Sequence, residues 1–279
     1  MILIADSGST KTDWTLCDGN QTVLTLKTAG MNPFFQTQEV MEKEIEEMLY
    51  PSISSYPIDS VFFYGAGCAD DEKKQLVSNV LGKFIKAHIE ADSDLMAAAR
   101  ALCGHKKGIA CILGTGSNSC LYDGKTITQH VSPLGFILGD EGSGANLGKR
   151  LVSDCLKHQF SPDIEQRFME EYQLTPSIVL DRVYKQPFPS RFLASLQPFL
   201  FDNIIEPSIH ELVLDSFKSF FMRNVLHYHG AFKLPINFVG SIAYVYHEQL
   251  QEAAESLGLS IGIIMRSPME GLINFHTKK

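Results

Sequence analysis

Asp6 stands at the end of the apolar run Ile2-Leu3-Ile4-Ala5 and is followed by Ser7-Gly8-Ser9-Thr10-Lys11-Thr12, four hydroxyls, one glycine and one cation in six residues. A glycine lets backbone approach a ligand with no Cβ in the way, and hydroxyls and amides crowded around it suit the oxygens of a phosphate. An acidic side chain beside such a nest is where the shell of a hard cation such as Mg2+ could be anchored. An ordinary hairpin with Asp6 as a turn cap is the plain alternative. A Walker A loop is not present: the nearest approach, Gly124-Lys125-Thr126, has Ser119 where the leading glycine belongs.

The same design recurs. Ile109-Ala110-Cys111-Ile112-Leu113 runs into Gly114-Thr115-Gly116-Ser117-Asn118-Ser119, then returns as Cys120-Leu121-Tyr122 to Asp123-Gly124. Strand, small-residue turn and returning strand thus occur twice, about a hundred residues apart. Two such turns, one per domain, could clamp a polyphosphate from opposite sides.

Three further places could do chemistry. Asn32, held extended by Pro33, carries an amide that donates and accepts at once, as a sugar hydroxyl requires; it is equally a turn residue. Asp94 follows the short strand His88-Ile89-Glu90-Ala91 and precedes the helical run Leu95 to Leu102. Its carboxylate could cap that helix or serve as a general base for a substrate hydroxyl, with Asp92 as competitor. The stretch Gly135-Phe136-Ile137-Leu138-Gly139-Asp140-Glu141-Gly142-Ser143-Gly144 is too apolar for a flexible surface loop. It predicts a buried, ligand-lining turn leading into a helix near Gly144 whose first amides could face an anion.

The elements that must position these residues alternate. After the hairpin, Val23 to Leu26 reads as a third strand, and Met41, Ile45, Met48 and Leu49 recur at helical spacing until Pro51 closes the segment. Val61-Phe62-Phe63-Tyr64 ends in Gly65-Ala66-Gly67, and Leu76, Val80, Leu81 and Phe84 mark another helix. Alternation of this kind predicts an α/β layer with ligands at the carboxyl ends of strands, which makes Gly65 and Gly67 lining for a cleft. Residues 150–230 read as mostly helical, with one long helix between Pro207 and Gly230. Pro235 to Val239 is a strand feeding Gly240-Ser241 and a helix, and Ser260 to Met265 is the last strand before a tail helix near Met269 to Phe275.

With 279 residues, 44% of them hydrophobic, the chain can bury a large core, and its length favours two domains. A net charge of −8 with no Lys/Arg stripe argues against nucleic acid as a partner. Six cysteines without a C-x-x-C pair, mostly in apolar stretches, fit a reducing cytoplasm. Met1 leads straight into a strand, and no apolar run approaches the ~20 residues a membrane helix needs, so neither a leader nor a membrane partner is expected.

The pair Asp6-Ser-Gly-Ser-Thr-Lys-Thr and Leu113-Gly-Thr-Gly-Ser-Asn resembles the two phosphate loops of the actin/hexokinase/Hsp70 superfamily. With Gly30-Met31-Asn32, Ser93 to Ala98 and Gly135 to Gly144 in the same order, the chain resembles the N-acetylglucosamine kinase branch of the BadF/BadG/BcrA/BcrD ATPase family. That resemblance implies a two-domain ribonuclease H-like α/β architecture with an interdomain cleft. Residues 1–112 would form the first domain, 113–267 the second with a helix-rich insertion at about 150–230, and a tail helix at 268–279 would pack back on the first. It implies ATP and Mg2+ as cofactors, an amino sugar such as N-acetylglucosamine as the small-molecule partner, and a homodimer.

By the same resemblance, Asp6 would hold the metal, and Ser7, Gly8, Ser9, Thr10, Lys11, Thr12, Gly114, Thr115 and Gly116 the phosphates. Gly240 and Ser241 would approach the adenosine. Asp94 would be the base for the sugar hydroxyl on C6, with Asn32, Gly65, Ser117, Asn118, Asp140 and Glu141 around the sugar. The first loop departs from the pattern in carrying Ser7-Gly8-Ser9 where many relatives have consecutive glycines. Two other functions compete: an ATPase that activates a radical enzyme, which would hold an iron–sulfur cluster through paired cysteines, and a sugar sensor without catalysis. Cys103 in a predicted helix and Cys111 in a predicted buried strand do not resemble a cluster cradle, and no spare segment offers a DNA-binding module.

Overall fold

The computed structural model describes residues 1–8 and 10–277. The chain divides into two compact units, Met1–His105 with the chain from Pro268 on, and Lys106–Ser267.

The first unit is built on a five-stranded sheet of β1 (Ile2–Ser7), β2 (Lys11–Asp18), β3 (Gln21–Ala29), β4 (Ser60–Gly65) and β5 (His88–Ser93), in the order β3-β2-β1-β4-β5. β1, β2 and β3 form an antiparallel meander, while β4 and β5 run parallel to β1. Parallel neighbours need crossover helices. These are α1 (Gln38–Glu44), which continues through a π turn at Ile45–Leu49 into α2 (Tyr50–Ile53), and then α3 (Asp71–Phe84); α4 (Asp94–Cys103) follows β5. Pro51 therefore does not close the first helix as the sequence predicts. The π turn just before it already shifts the hydrogen-bond register, so a residue with no N–H is accommodated without ending the rod.

The second unit repeats the arrangement. β6 (Gly108–Leu113), β7 (Ser117–Tyr122), β8 (Ile127–His130), β9 (Ile236–Val239) and β10 (Ile261–Met265) lie in the order β10-β9-β6-β7-β8, again a meander flanked by two parallel strands. All of β6 falls within this unit. The connection from β8 to β9 carries α5 (Gly135–Leu138), α6 (Gly144–Leu156), α7 (Pro162–Glu171), α8 (Pro176–Tyr184), α9 (Pro189–Ser195), α10 (Gln197–Asp202) and α11 (Pro207–Arg223). These helices close a core in which Phe168, Phe199, Phe217, Phe220 and Phe221 are fully buried. α12 (Ser241–Val245) and α13 (His247–Ser256) follow β9, and α14 (Met269–Thr277) packs on β1 and α4 of the first unit. Among the described residues, no helix is long and apolar enough to cross a membrane.

Candidate functional site

The β1–β2 turn is closed by the Gly8 N–H, which donates to the Lys11 carbonyl at 3.0 Å. Strand pairing sets Asp6 opposite Asp13 and Ser7 opposite Thr12. Gly8, Thr10 and Lys11 are exposed, whereas Ser9 lies outside the described residues. Ser7 and Thr12 are fully buried, and their hydroxyls, 2.7 Å apart, face the protein. Ser7 Oγ accepts the Met31 N–H at 3.0 Å, and Thr12 Oγ1 donates to the Ala29 carbonyl at 3.1 Å. Two of the four hydroxyls expected at the loop thus brace the segment that delivers Asn32.

Asn32 is buried at 6% exposure, and its Oδ1 accepts the Phe34 N–H at 2.9 Å in an Asx turn. Its backbone N–H donates to Gln36 Oε1 at 2.8 Å. Gly67, at φ +92°, gives the carboxamide its place: a Cβ there would overlap the Asn32 side chain. Gly65 makes a different kind of room, since a Cβ would stand 2.6 Å from Cε1 of the Phe63 ring.

β5 ends at Ser93, whose Oγ accepts the Met96 N–H at 3.2 Å and caps α4. Asp94 is therefore the first helical residue rather than the cap, and the capping explanation for it falls away. Burial pushes its carboxyl above the usual range, opposed only in part by the N–H groups of Leu95 and Asp94. Among the described residues, no cation forms an ion pair with it. Asp92, the competitor, is paired with Lys74 at 2.8 Å and accepts the Ser93 N–H at 2.8 Å.

Asp6 is half-buried, and its carboxyl is pushed up to about 7 by burial, then by the charges of Asp94 and Asp13, with Lys11 pulling the other way. Lys11 itself is turned to Asp13 at 2.6 Å. The donors here are all carboxylate oxygens, the ligands a hard divalent cation takes. No group of three His, Cys, Asp or Glu among the described residues could hold a metal ion alone.

In the second unit, Gly114-Thr115-Gly116 forms the β6–β7 turn, with the Gly114 N–H donating to the Gly116 carbonyl at 2.9 Å. The Gly144 and Ala145 N–H groups donate to the Gly114 and Thr115 carbonyls at 2.8 and 3.0 Å, and the Asn146 N–H to Ser143 Oγ at 3.1 Å. The first amides of α6 are thereby spent on the turn and the cap, which corrects the expectation that they could face an anion. What they do is hold the turn.

Asp140 is buried and adopts φ +53°. One carboxylate oxygen accepts the Ser117 N–H at 3.2 Å, and the other would lie 3.1 Å from a Cβ on Gly116. Burial, then Glu141, raise its pKa, against the Ser117 N–H and Lys149. Ser117 is itself buried, and Asn118 Oδ1 accepts the Ser119 N–H and meets His130 Nε2, both at 2.9 Å. Glu141 lies 2.5 Å from Arg223 Nε, a partner on α11 with no counterpart signal in the sequence near the motif. Gly240, at φ +127°, lies against Leu113: a Cβ would overlap the Leu113 carbonyl, so the β9–α12 turn rests on the end of β6. Ser241 is exposed beside it.

The glycine-rich stretch divides in two. From Gly139 to Ala145 it is buried apart from half-buried Glu141, as expected. Before that, Leu134, Ile137 and Leu138 are 59%, 73% and 70% exposed, contrary to the predicted burial. A single helical turn has one inward face, and Phe136 takes it against the core.

No family model matches the chain, and no curated protein matches it. Among solved structures, a candidate N-acetylglucosamine kinase from Porphyromonas gingivalis is 44% identical with a TM-score of 0.96, over 100% of this chain and 99% of that one. A second candidate N-acetylglucosamine kinase, from Chromobacterium violaceum, is 17% identical with a TM-score of 0.65 over 98% of both chains. A ROK family glucokinase from Streptomyces griseus, solved with glucose and AMPPNP, is 13% identical with a TM-score of 0.54 over 98% of this chain and 97% of that one. The last two share the fold.

Proposed function

The chain belongs to the N-acetylglucosamine kinase-like family of sugar kinases with the actin-like ATPase fold, and on that premise we propose that it transfers the γ-phosphoryl group of ATP to O6 of N-acetylglucosamine. The observation that carries the chemistry is the contrast at the end of β5. Asp92 is paired with Lys74, whereas Asp94 is a half-buried carboxyl that pairs with no cation among the described residues, at the start of the helix capped by Ser93. A raised pKa is what a general base needs near neutrality.

Phosphoryl transfer passes through a loose transition state, so the protein mainly positions groups and balances charge. In this reading Ser9, Thr10 and Lys11, together with Thr115 and Gly116, take the phosphates, while Gly8 and Gly114, whose N–H groups close the two turns, leave room for them. Ser7 and Thr12, both buried, serve by fixing the loop. Gly240 and Ser241 take the adenosine side. Asn32, with its carboxamide set by Gly67 and the end of its neighbouring strand β4 shaped by Gly65, takes the sugar, as do Asp140, Ser117, Asn118 and Glu141. Asp94 accepts the proton of the attacking hydroxyl as its oxygen bonds to the γ-phosphorus and the bond from that phosphorus to the β,γ-bridging oxygen breaks, releasing ADP. Mg2+ held at Asp6, with phosphate oxygens and water completing its shell, would supply positive charge to the phosphates.

The experiment is a panel of amino sugars with ATP and Mg2+, read by ADP release and by mass and phosphorus NMR of the product. N-acetylglucosamine 6-phosphate as the fastest-formed product is expected. ADP release that no sugar accelerates would overturn the reading.

A further inference from the structure

α14 approaches α4 at a distance that only glycine permits: a Cβ at Gly271 would stand 2.7 Å from the Ala101 Cα and overlap the Ala101 carbonyl. The face of α4 turned to β1, β4 and α14 carries Ala97 and Ala101, packed with Ile4, Tyr64 and Leu272, with the partly buried Met96 beside them. Two alanines and a flexible methionine give a helix few knobs to lock into a neighbour, so this packing brings α4 close and fixes its position along its axis only weakly.

Polar contacts supply what the alanines lack. Arg100, on α4, donates through Nη1 to Tyr64 Oη at 2.6 Å and pairs with Glu90 Oε1 at 2.6 Å. Its guanidinium lies 5.6 Å from the Tyr64 ring centroid and 5.2 Å from that of Phe275. Tyr64 Oη lies 2.8 Å from His276 Nε2, and the His276 ring stacks on Phe62 with centroids 3.7 Å apart. Arginine only donates, so Tyr64 Oη accepts from Arg100 and keeps its own proton free for His276 Nε2. In that direction, Arg100 to Tyr64 to His276, the His276 ring is neutral with its proton on Nδ1. Tyr64 is also the strand residue paired with Asp6 on one side and Asp92 on the other.

Resting on the assignment of Asp94 as base, we propose that the Arg100–Tyr64–His276 relay, clamped by α14, fixes α4 along its axis and so holds the Asp94 carboxylate in register with the acceptor hydroxyl. Tyr64, Arg100 and His276 are positioning residues for the transfer. α4 is ten residues long, a single rigid rod, so a displacement at Arg100 is delivered to Asp94 at its other end.

The test uses Tyr64→Phe, His276→Gln, His276→Leu, Asp94→Asn and the double variant Tyr64→Phe/Asp94→Asn, with kcat and KM for sugar and ATP, and circular dichroism to establish folding. A misplacement of about 1 Å costs on the order of a hundredfold in rate. Tyr64→Phe should therefore lower kcat by roughly ten- to a hundredfold while both KM values move by less than about threefold. His276→Leu should do the same, and His276→Gln, whose carboxamide can still accept from Tyr64, should recover most of the loss. In the Asp94→Asn background, Tyr64→Phe should cost nothing more. Wild-type kcat in Tyr64→Phe, or an equal loss in both backgrounds, overturns the relay while leaving the base in place. Full activity in Asp94→Asn removes the base assignment and the relay with it. Should Tyr64→Phe not fold, the His276→Gln and His276→Leu pair decides: equal kcat in the two is the overturning result.

Discussion

Lys74 Nζ lies 2.8 Å from Asp92 Oδ1, and this ion pair separates the two carboxylates that bracket the end of β5. One is paired with a lysine; the other, Asp94, is left to burial, which favours its protonated form. Two acids one residue apart in sequence on either side of Ser93 are thus given different chemistry by a helix elsewhere in the chain.

The first prediction follows from that difference. Asp94→Asn should lower kcat by about 10²–10⁴-fold with sugar binding retained, because it removes the proton acceptor and leaves the shape. Asp92→Asn should cost less than about tenfold, since it removes half of a structural pair. Steady-state kinetics with calorimetric binding of the sugar checks both; the reverse ranking would transfer the role to Asp92.

Ser7→Ala should act at a distance. It takes from the buried Met31 N–H its partner at 3.0 Å, leaving Thr12 Oγ1 at 3.3 Å. Loss of about 1–3 kcal/mol in urea unfolding is expected. Because Asn32 follows Met31, KM for the sugar should rise more than KM for ATP. Equal rises would mean that Ser7 serves the phosphate loop and not the Asn32 segment.

Gly67 and Gly82 make a contrasting pair. Gly67→Ala places a methyl in the Asn32 carboxamide at a positive φ, and should destabilise the protein while weakening sugar binding. At Gly82, inside α3, the nearest atom to a new Cβ is Ile89 Cδ1 at 3.7 Å. Gly82→Ala should stabilise by about 0.4–1 kcal/mol and leave sugar binding as it was. Calorimetric binding and urea unfolding of both variants test this, and sugar affinity unchanged in Gly67→Ala would dissociate that glycine from the pocket.

Both small-residue turns were legible because each is flanked by apolar runs of strand length, and the two meanders follow from them. What sequence could not settle were choices between residues equally able to fill a place. Ser93 and Asp94 are both good caps, and only the geometry of the last strand residue decides between them. Apolar content read as burial failed at Leu134, Ile137 and Leu138, since a turn of helix has fewer inward positions than apolar residues there. Partnerships such as Tyr64 with His276, 212 residues apart, leave no local pattern at all.

The last prediction concerns pH and sets His276 against the carboxyls that burial raises. His276 is pushed down to about 4 by burial, then by Arg100 and His105, while an unfolded histidine titrates near ~6.5. Between those values the unfolded chain binds more protons, so this group makes stability rise with pH and withdraws it as pH falls from the upper value to the lower. Protonation also ends the ability of Nε2 to accept from Tyr64. Asp6 acts in the opposite sense: raised to about 7 from an unfolded value near ~3.9, it favours the native state at low pH and loses that contribution as pH rises through about 7. In the wild type without nucleotide and metal, the rising slope of His276 is opposed by the falling slopes of Asp6 and of the other carboxyls that burial raises, Asp94 and Asp140. In His276→Gln the rising slope is lost and the falling ones remain, so unfolding free energy by urea should fall with rising pH across that window more steeply than in the wild type. A wild-type minus variant difference that stays flat from pH 4 to pH 7 would mean that His276 titrates normally and that the α14 contact does not hold it neutral.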